Sequence, residues 1–166
     1  MKDFISEKIN SYNSNSRLWI FQSLSLLTNY EKEIISNKLN NFFSNWDAHG
    51  KSLKSSSFFV YSNFLIVLVD SNEVSATGCA IDKLFNKIED IGIKLNKSLI
   101  NNNFIAYKFN DSESIYFLNL FDFRKHIKDK LLSDCVIFDN SISTIEQLKN
   151  SWVISIEEWK KKYIKN

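Results

Sequence analysis

Apolar residues recur at helical steps from Thr28 onward: Tyr30, Ile34, Ile35, Leu39, Phe42, Phe43 and Trp46 stand along one stripe. Thr28 and Glu31 have the spacing of a capping box, which opens this helix. The pattern predicts that it stops near Asp47, with Gly50 following as a termination signal. A second stripe, Ile81, Leu84, Phe85, Ile88, Ile91 and Leu95, predicts a helix from about Cys79 to Asn96. Shorter helices are expected over 3–12, over 122–132, from a Ser143–Glu146 capping box, and over 155–165 with a Ser-x-x-Glu start at Ser155 and Glu158.

Between the helices lie short apolar runs. Leu18–Phe21 reads as a buried strand, and residues 57–62 and 64–70 as a hairpin turning at Ser62-Asn63. Phe64–Val69 has no polar alternation, so it is expected to be central and covered on both faces. Residues 71–78 read as a loop. Residues 104–109 and 115–120 flank Asn110–Glu113 as a second hairpin, and Cys135–Asp139 is a further strand. Hairpins alternating with helices predict an α+β fold: a mostly antiparallel sheet built from two β-hairpins plus edge strands, with helices packed against it. No linker or low-complexity arm interrupts residues 1–166, so a single domain is expected.

Composition narrows the setting. A hydrophobic fraction of 44% and a charged fraction of 24% suit a folded chain able to bury a core without disulfide or metal staples. The net charge of +2 gives no basis for nucleic acid as a partner. The basic run Lys160-Lys161-Lys162, with Lys165 beyond it, reads as a solvated helix face. The acidic start (Asp3, Glu7) is unlike a signal peptide, and the run Phe64–Val69 is too short to cross a bilayer, so no membrane insertion is expected. Cys79 and Cys135 lack metal-type spacing, and a reducing, cytoplasmic compartment fits them.

Lys, Asn, Ile, Phe and Ser dominate the chain, all favoured by A/T-rich codons. Against that background the small residues are clustered: Ala48 and Gly50 in one segment, Ala76, Gly78 and Ala80 in another. Such clustering suits tight turns or close backbone approach.

Absent motifs exclude several chemistries. No Walker-type loop is present, so ATP binding in the P-loop manner and its hydrolysis are not expected. No dinucleotide fingerprint, nucleophile elbow or zinc-ligand spacing occurs, and neither a metal nor a cofactor is expected. Two segments remain: Trp46-Asp47-Ala48-His49-Gly50 and Thr77-Gly78-Cys79-Ala80-Ile81-Asp82-Lys83. A helix start favours an anion or a thiolate, which would put Cys79 in a suitable place. His49 could serve as its base, with Asp47 or Asp82 orienting the imidazole. The alternative is structural: His49 closing a helix end, Cys79 a small apolar residue, Asp82 favouring a first helical turn. The candidate pocket is therefore Trp46, Asp47, His49, Gly50, Gly78, Cys79, Asp82 and Lys83, expected to lie side by side.

Arg17 and Arg124 are the only arginines, and either could make a bidentate contact to carboxylate or phosphate; Arg17 is the anion-binding candidate. His126 is expected to be exposed on a charged helix, and Trp152 and Trp159 to belong to a core.

Residues 16–22 together with these two segments resemble a family of short bacterial proteins of uncharacterised function, marked by Trp-x-Ala-His-Gly and Gly-Cys-x-Ile-Asp-Lys. Some members carry the description of an ABC transporter ATPase. The resemblance runs from about Ser16 onward and implies that positions 46–50 and 77–83 matter; the absent Walker-type loop departs from an ATPase. The leading expectation is a non-catalytic accessory or binding domain for a protein or small-molecule partner. The runner-up is a cysteine-dependent hydrolase or transferase using Cys79 and His49. A weak nucleic-acid module using the lysine-rich C-terminus comes third.

Overall fold

Phe64–Val69 (β5) is buried at every position, and its alternation explains why no polar residue interrupts it. In a strand, successive side chains point to opposite faces. Leu65, Val67 and Val69 enter one core cluster, while Phe64, Ile66 and Leu68 enter another. The computed structural model describes residues 2–72, 74–132 and 134–164. Met1, the loop residue Glu73 and Lys165 at the end of the expected last helix lie outside the described residues.

β5 is the middle of a three-stranded antiparallel sheet, flanked by Arg17–Gln22 (β1) and Ser55–Val60 (β4). The helices Asn29–Phe43 (α2) and Gly78–Lys94 (α3) supply the core on one face through Ile35, Leu39, Leu84 and Ile88. On the other face, Lys2–Ile9 (α1) and Ile145–Ser151 (α5) contribute Ile5, Ile9 and Leu148. Ala106 and Phe138 of a second sheet enter that same cluster, so the two sheets share one core.

The second sheet is also antiparallel. Its order is Tyr116–Asn119 (β7), Phe104–Phe109 (β6), Cys135–Phe138 (β8) and Val153–Ser155 (β9). Its far face packs on Leu120–Lys128 (α4) and Ile156–Tyr163 (α6) through Phe123, Ile137 and Trp159. The architecture is α+β with antiparallel sheets, and no helix among the described residues is long and apolar enough to cross a membrane.

Several boundaries differ from expectation. α2 ends at Phe43, not near Asp47, because Trp46 turns inward to a buried partner described below. Asp47–Ala48 (β2) and Lys51–Ser52 (β3) then form a small hairpin that the apolar pattern gave no sign of. The cap of α5 is Thr144, one residue past Ser143: Thr144 Oγ1 accepts from Gln147 N, and Gln147 Oε1 accepts from Ser143 N at 2.8 Å. The capping boxes at Thr28–Glu31 and Ser155–Glu158 are formed as the spacing predicts. The β4–β5 turn places both Tyr61 and Ser62 at positive φ.

α3 closes with a Schellman motif. Asn96 is left-handed (φ 50°), Lys97 N donates to Gly92 O, and Asn96 N donates to Ile93 O. A Cβ at Gly92 would stand 2.6 Å from Lys97 O, so glycine is needed there for close approach.

Candidate functional site

The two small-residue segments do meet, through Trp46 and Asp47. Trp46 is 1% exposed, and its indole Nε1 donates to Ala80 O at 2.9 Å. Phe43 and Phe42 pack on the indole at centroid distances of 5.8 and 5.2 Å, with Trp19 of β1 at 6.2 Å. Ala48, Ala76 and Ala80 are buried in the same cluster. The small residues thus let a hairpin, a loop and a helix start approach one tryptophan.

The exposed side of this joint carries the ionisable residues. Lys83 Nζ donates to Asp47 Oδ1 at 3.3 Å, and Gly50 N donates to Asp47 Oδ2. The Lys83 hydrogen bond, then the Gly50 N–H, hold the Asp47 carboxyl below its usual range. His49 (φ 53°) and Gly50 (φ 74°) are the two turn residues of the β2–β3 hairpin, both left-handed as a type I′ turn requires. His49, Gly78, Cys79, Asp82 and Lys83 are all exposed. Cys79 is therefore not the small buried residue considered from sequence. Among the described residues neither its thiol nor the His49 ring makes a hydrogen bond. The start of α3 is capped by Thr77, whose side chain accepts from Ala80 N.

Arg17 is exposed on β1 and lies over the Trp19 ring at 5.4 Å. His126 is half-buried, which corrects the expected exposure: its Nδ1 donates to Asp122 O at 2.8 Å, one turn back on α4. Trp152 and Trp159 are core residues, as their spacing suggested. The basic run is not wholly free in solvent: Lys160 is paired with Glu157 at 2.8 Å on its own helix, and Lys162 reaches off the helix to the buried Asp139 at 2.7 Å. Among the described residues no group of His, Cys, Asp and Glu could hold a metal.

A cleft of about 500 Å³ lies elsewhere, between β1 and the second sheet. It runs past every residue from Leu18 to Gln22, so it follows the edge of β1. Leu99 and Ser143 close the two ends of that edge, accepting from Gln22 N and Leu18 N, both at 3.0 Å. Gln22 also bridges the sheets: its Nε2 donates to Asn101 O and Phe104 O, and its Oε1 accepts from Asn140 Nδ2. Asn140 Oδ1 in turn accepts from Trp152 Nε1 at 2.9 Å.

The cleft wall includes Phe104, Phe138, Trp159, Tyr163 and, on α4, Arg124. At one side Asp139, 5% exposed, accepts from Ser141 Oγ, Tyr163 OH and Lys162 Nζ, each at 2.7 Å. Burial raises its pKa, but the donors Lys162, Ser141 and Tyr163 outweigh burial and hold it low. Burial pushes the Tyr163 hydroxyl up, so it remains a proton donor to the carboxylate. This saturated cluster anchors α6 to the 139–143 loop and leaves no carboxylate free to act as a base.

Sequence reasoning missed the cleft because its wall comes from distant stretches, 18–22, 102–124 and 138–163. Arg124, rare in a lysine-rich chain, was the one usable signal. No protein-family model, curated protein or solved structure matches the chain.

Proposed function

We propose that this chain is a binding domain for a small ligand, held in the cleft between β1 and the second sheet, without chemistry of its own. One observation carries the reading: a cleft of about 500 Å³ follows a strand edge, with aromatic walls and a few convergent polar groups. Small-molecule sites have this character, with volumes of roughly 300–1,000 Å³. The cluster at its side supports binding over catalysis, since Asp139 is already fully partnered. A cytoplasmic setting belongs to the same reading, with Cys79 and Cys135 as free thiols. So does the likeness to short bacterial proteins: the Trp-x-Ala-His-Gly and Gly-Cys-x-Ile-Asp-Lys segments serve as the joint around Trp46, and the ligand is bound elsewhere.

The test is a small-molecule fragment screen read by backbone amide NMR on the full chain. Hits should cluster on Leu18–Gln22, Phe104–Ile105 and Asp139–Ser143. Hits confined to the start of α3 and the β2–β3 turn would move the site to the other pair of segments. A screen with no hits along β1 would end the cleft reading.

A further inference from the structure

The edge of β1 is filled at both ends and open in the middle. Leu18 N and Gln22 N point away from β5, to Ser143 O and Leu99 O. In an antiparallel pair, alternate residues turn both their N–H and C=O to the same side. Ile20, midway between Leu18 and Gln22, therefore turns both of its groups toward the cleft, and neither has a partner among the described residues. The residue is 8% exposed. Buried backbone groups are nearly always paired, so an unpaired N–H and C=O at a cleft wall are a place for a ligand.

The filled ends decide what kind of ligand fits. An added peptide strand would need Leu18 and Gln22 to continue its ladder, and loops already hold both. The open stretch matches what a single residue of a neighbouring strand would supply: one acceptor and one donor side by side. A cyclic amide presents that same pair on one edge of a flat ring. Flat rings also suit the cleft walls, where the half-buried Phe104 and Tyr163 offer aromatic surface.

Charge adds the second element. Arg124 lines the cleft, and among the described residues no carboxylate lies within 4 Å of it, whereas Lys54, Lys83, Lys97 and Lys162 each have one. The acidic residue of the wall, Asp139, is paired with Lys162 and does not oppose an incoming anion. A guanidinium without a protein partner at a cleft suits a carboxylate or phosphate. Resting on the cleft as the binding site, we propose that its ligand is a planar cyclic amide bearing an anionic group, with the amide edge on the Ile20 backbone and the charge at Arg124.

Uridine monophosphate and orotate carry both elements and serve as probes, with uridine lacking the charge and N3-methyl uridine monophosphate lacking the amide donor. Titration of the full chain should shift the Ile20 amide with both anionic probes. Uridine should bind about tenfold more weakly than its monophosphate, the worth of one charge-assisted contact. N3-methylation should weaken binding as well. Arg124→Gln, on an exposed helix position, should remove the difference between uridine and its monophosphate while leaving Tm unchanged. Inorganic phosphate alone should leave Ile20 unmoved. The proposal is overturned if neither anionic probe shifts Ile20, if N3-methylation has no effect, or if Arg124→Gln weakens both uridine compounds equally. Neutral, non-amide fragments binding along β1 while these probes fail would leave the cleft reading standing and sink only this inference.

Discussion

The indole of Trp46 and the carbonyl of Ala80 are joined by a buried hydrogen bond of 2.9 Å, and this contact welds the segment after α2 to the first turn of α3. Its loss should be felt as stability. Trp46→Phe keeps an aromatic in the cluster of Phe42, Phe43 and Trp19 but removes the donor, and should cost about 1–3 kcal/mol. Trp46→Ala also leaves a cavity and should cost about 3–5 kcal/mol. Urea unfolding with an unchanged m-value would show that stability alone has moved. Asp47→Asn, on the exposed side of the same joint, should change little. A Trp46→Phe variant as stable as the parent would deny the contact its role.

Two left-handed residues allow the opposite change. His49 has φ 53°, and Lys130, which follows α4, has φ 57°. Lys130 closes a Schellman motif, with Leu131 N donating to His126 O at 2.9 Å. A side chain in this region costs about 1–2 kcal/mol, partly offset in glycine by its freer unfolded chain. His49→Gly and Lys130→Gly should each stabilise the fold by about 0.5–1 kcal/mol, read from the urea midpoint. At His49 the result also bears on function. A catalytic imidazole would make the glycine variant inactive, whereas a turn residue would leave ligand binding untouched.

How much of this was readable in advance depends on distance along the chain. β5 announced its burial because each residue needed only its own apolar side chain and two covered faces. The capping boxes at Thr28 and Ser155 were legible because partner and cap stand three residues apart. The meeting of segments 46–50 and 77–83 left a trace only in the clustering of alanine and glycine. That trace pointed to proximity but not to Trp46 as its cause. The hairpin at Asp47–Ser52 was hidden because a two-residue strand has no periodicity to detect. The cleft left almost none, since Ile20 is an ordinary apolar strand residue whose significance is in its backbone.

The two cysteines should separate in reactivity. Cys79 is exposed, while Cys135 is 6% exposed and its thiol, pushed up by burial, titrates at about 11. An alkylating reagent at neutral pH should label Cys79 in the folded protein and reach Cys135 only on unfolding. Cys79→Ser should leave stability unchanged, unlike a buried thiol replaced by a hydroxyl. His49→Ala should leave the Cys79 labelling rate unchanged, since no hydrogen bond joins the two. A rate that falls with His49→Ala would restore the cysteine–histidine pair and with it the hydrolase or transferase reading.

The Asp139 cluster sets how the fold responds to acid. In an unfolded chain this carboxyl titrates at about 3.9, and in the fold Lys162, Ser141 and Tyr163 hold it lower. A depressed folded value means that the unfolded chain binds more protons in acid. The stabilisation is therefore complete above the unfolded value and fades as pH falls through the folded one. Lys162 moves the other way, its pKa raised by the hydrogen bond to Asp139, so its share is complete below the unfolded lysine value and is lost as pH climbs through the folded one. Asp139→Asn removes the charge while keeping an acceptor for Ser141 and Tyr163. Half of the Lys162 side chain is exposed, which discounts the ion pair, and the variant should lose about 1–2 kcal/mol at pH near 7. That difference should hold through the neutral range and shrink below about pH 4, where the parent carboxyl is also being protonated. Urea unfolding of both proteins across that range is the measurement. A difference that stays constant into strong acid would mean that the Asp139 charge contributes nothing and that the variant loses only hydrogen-bond geometry with Ser141 and Tyr163.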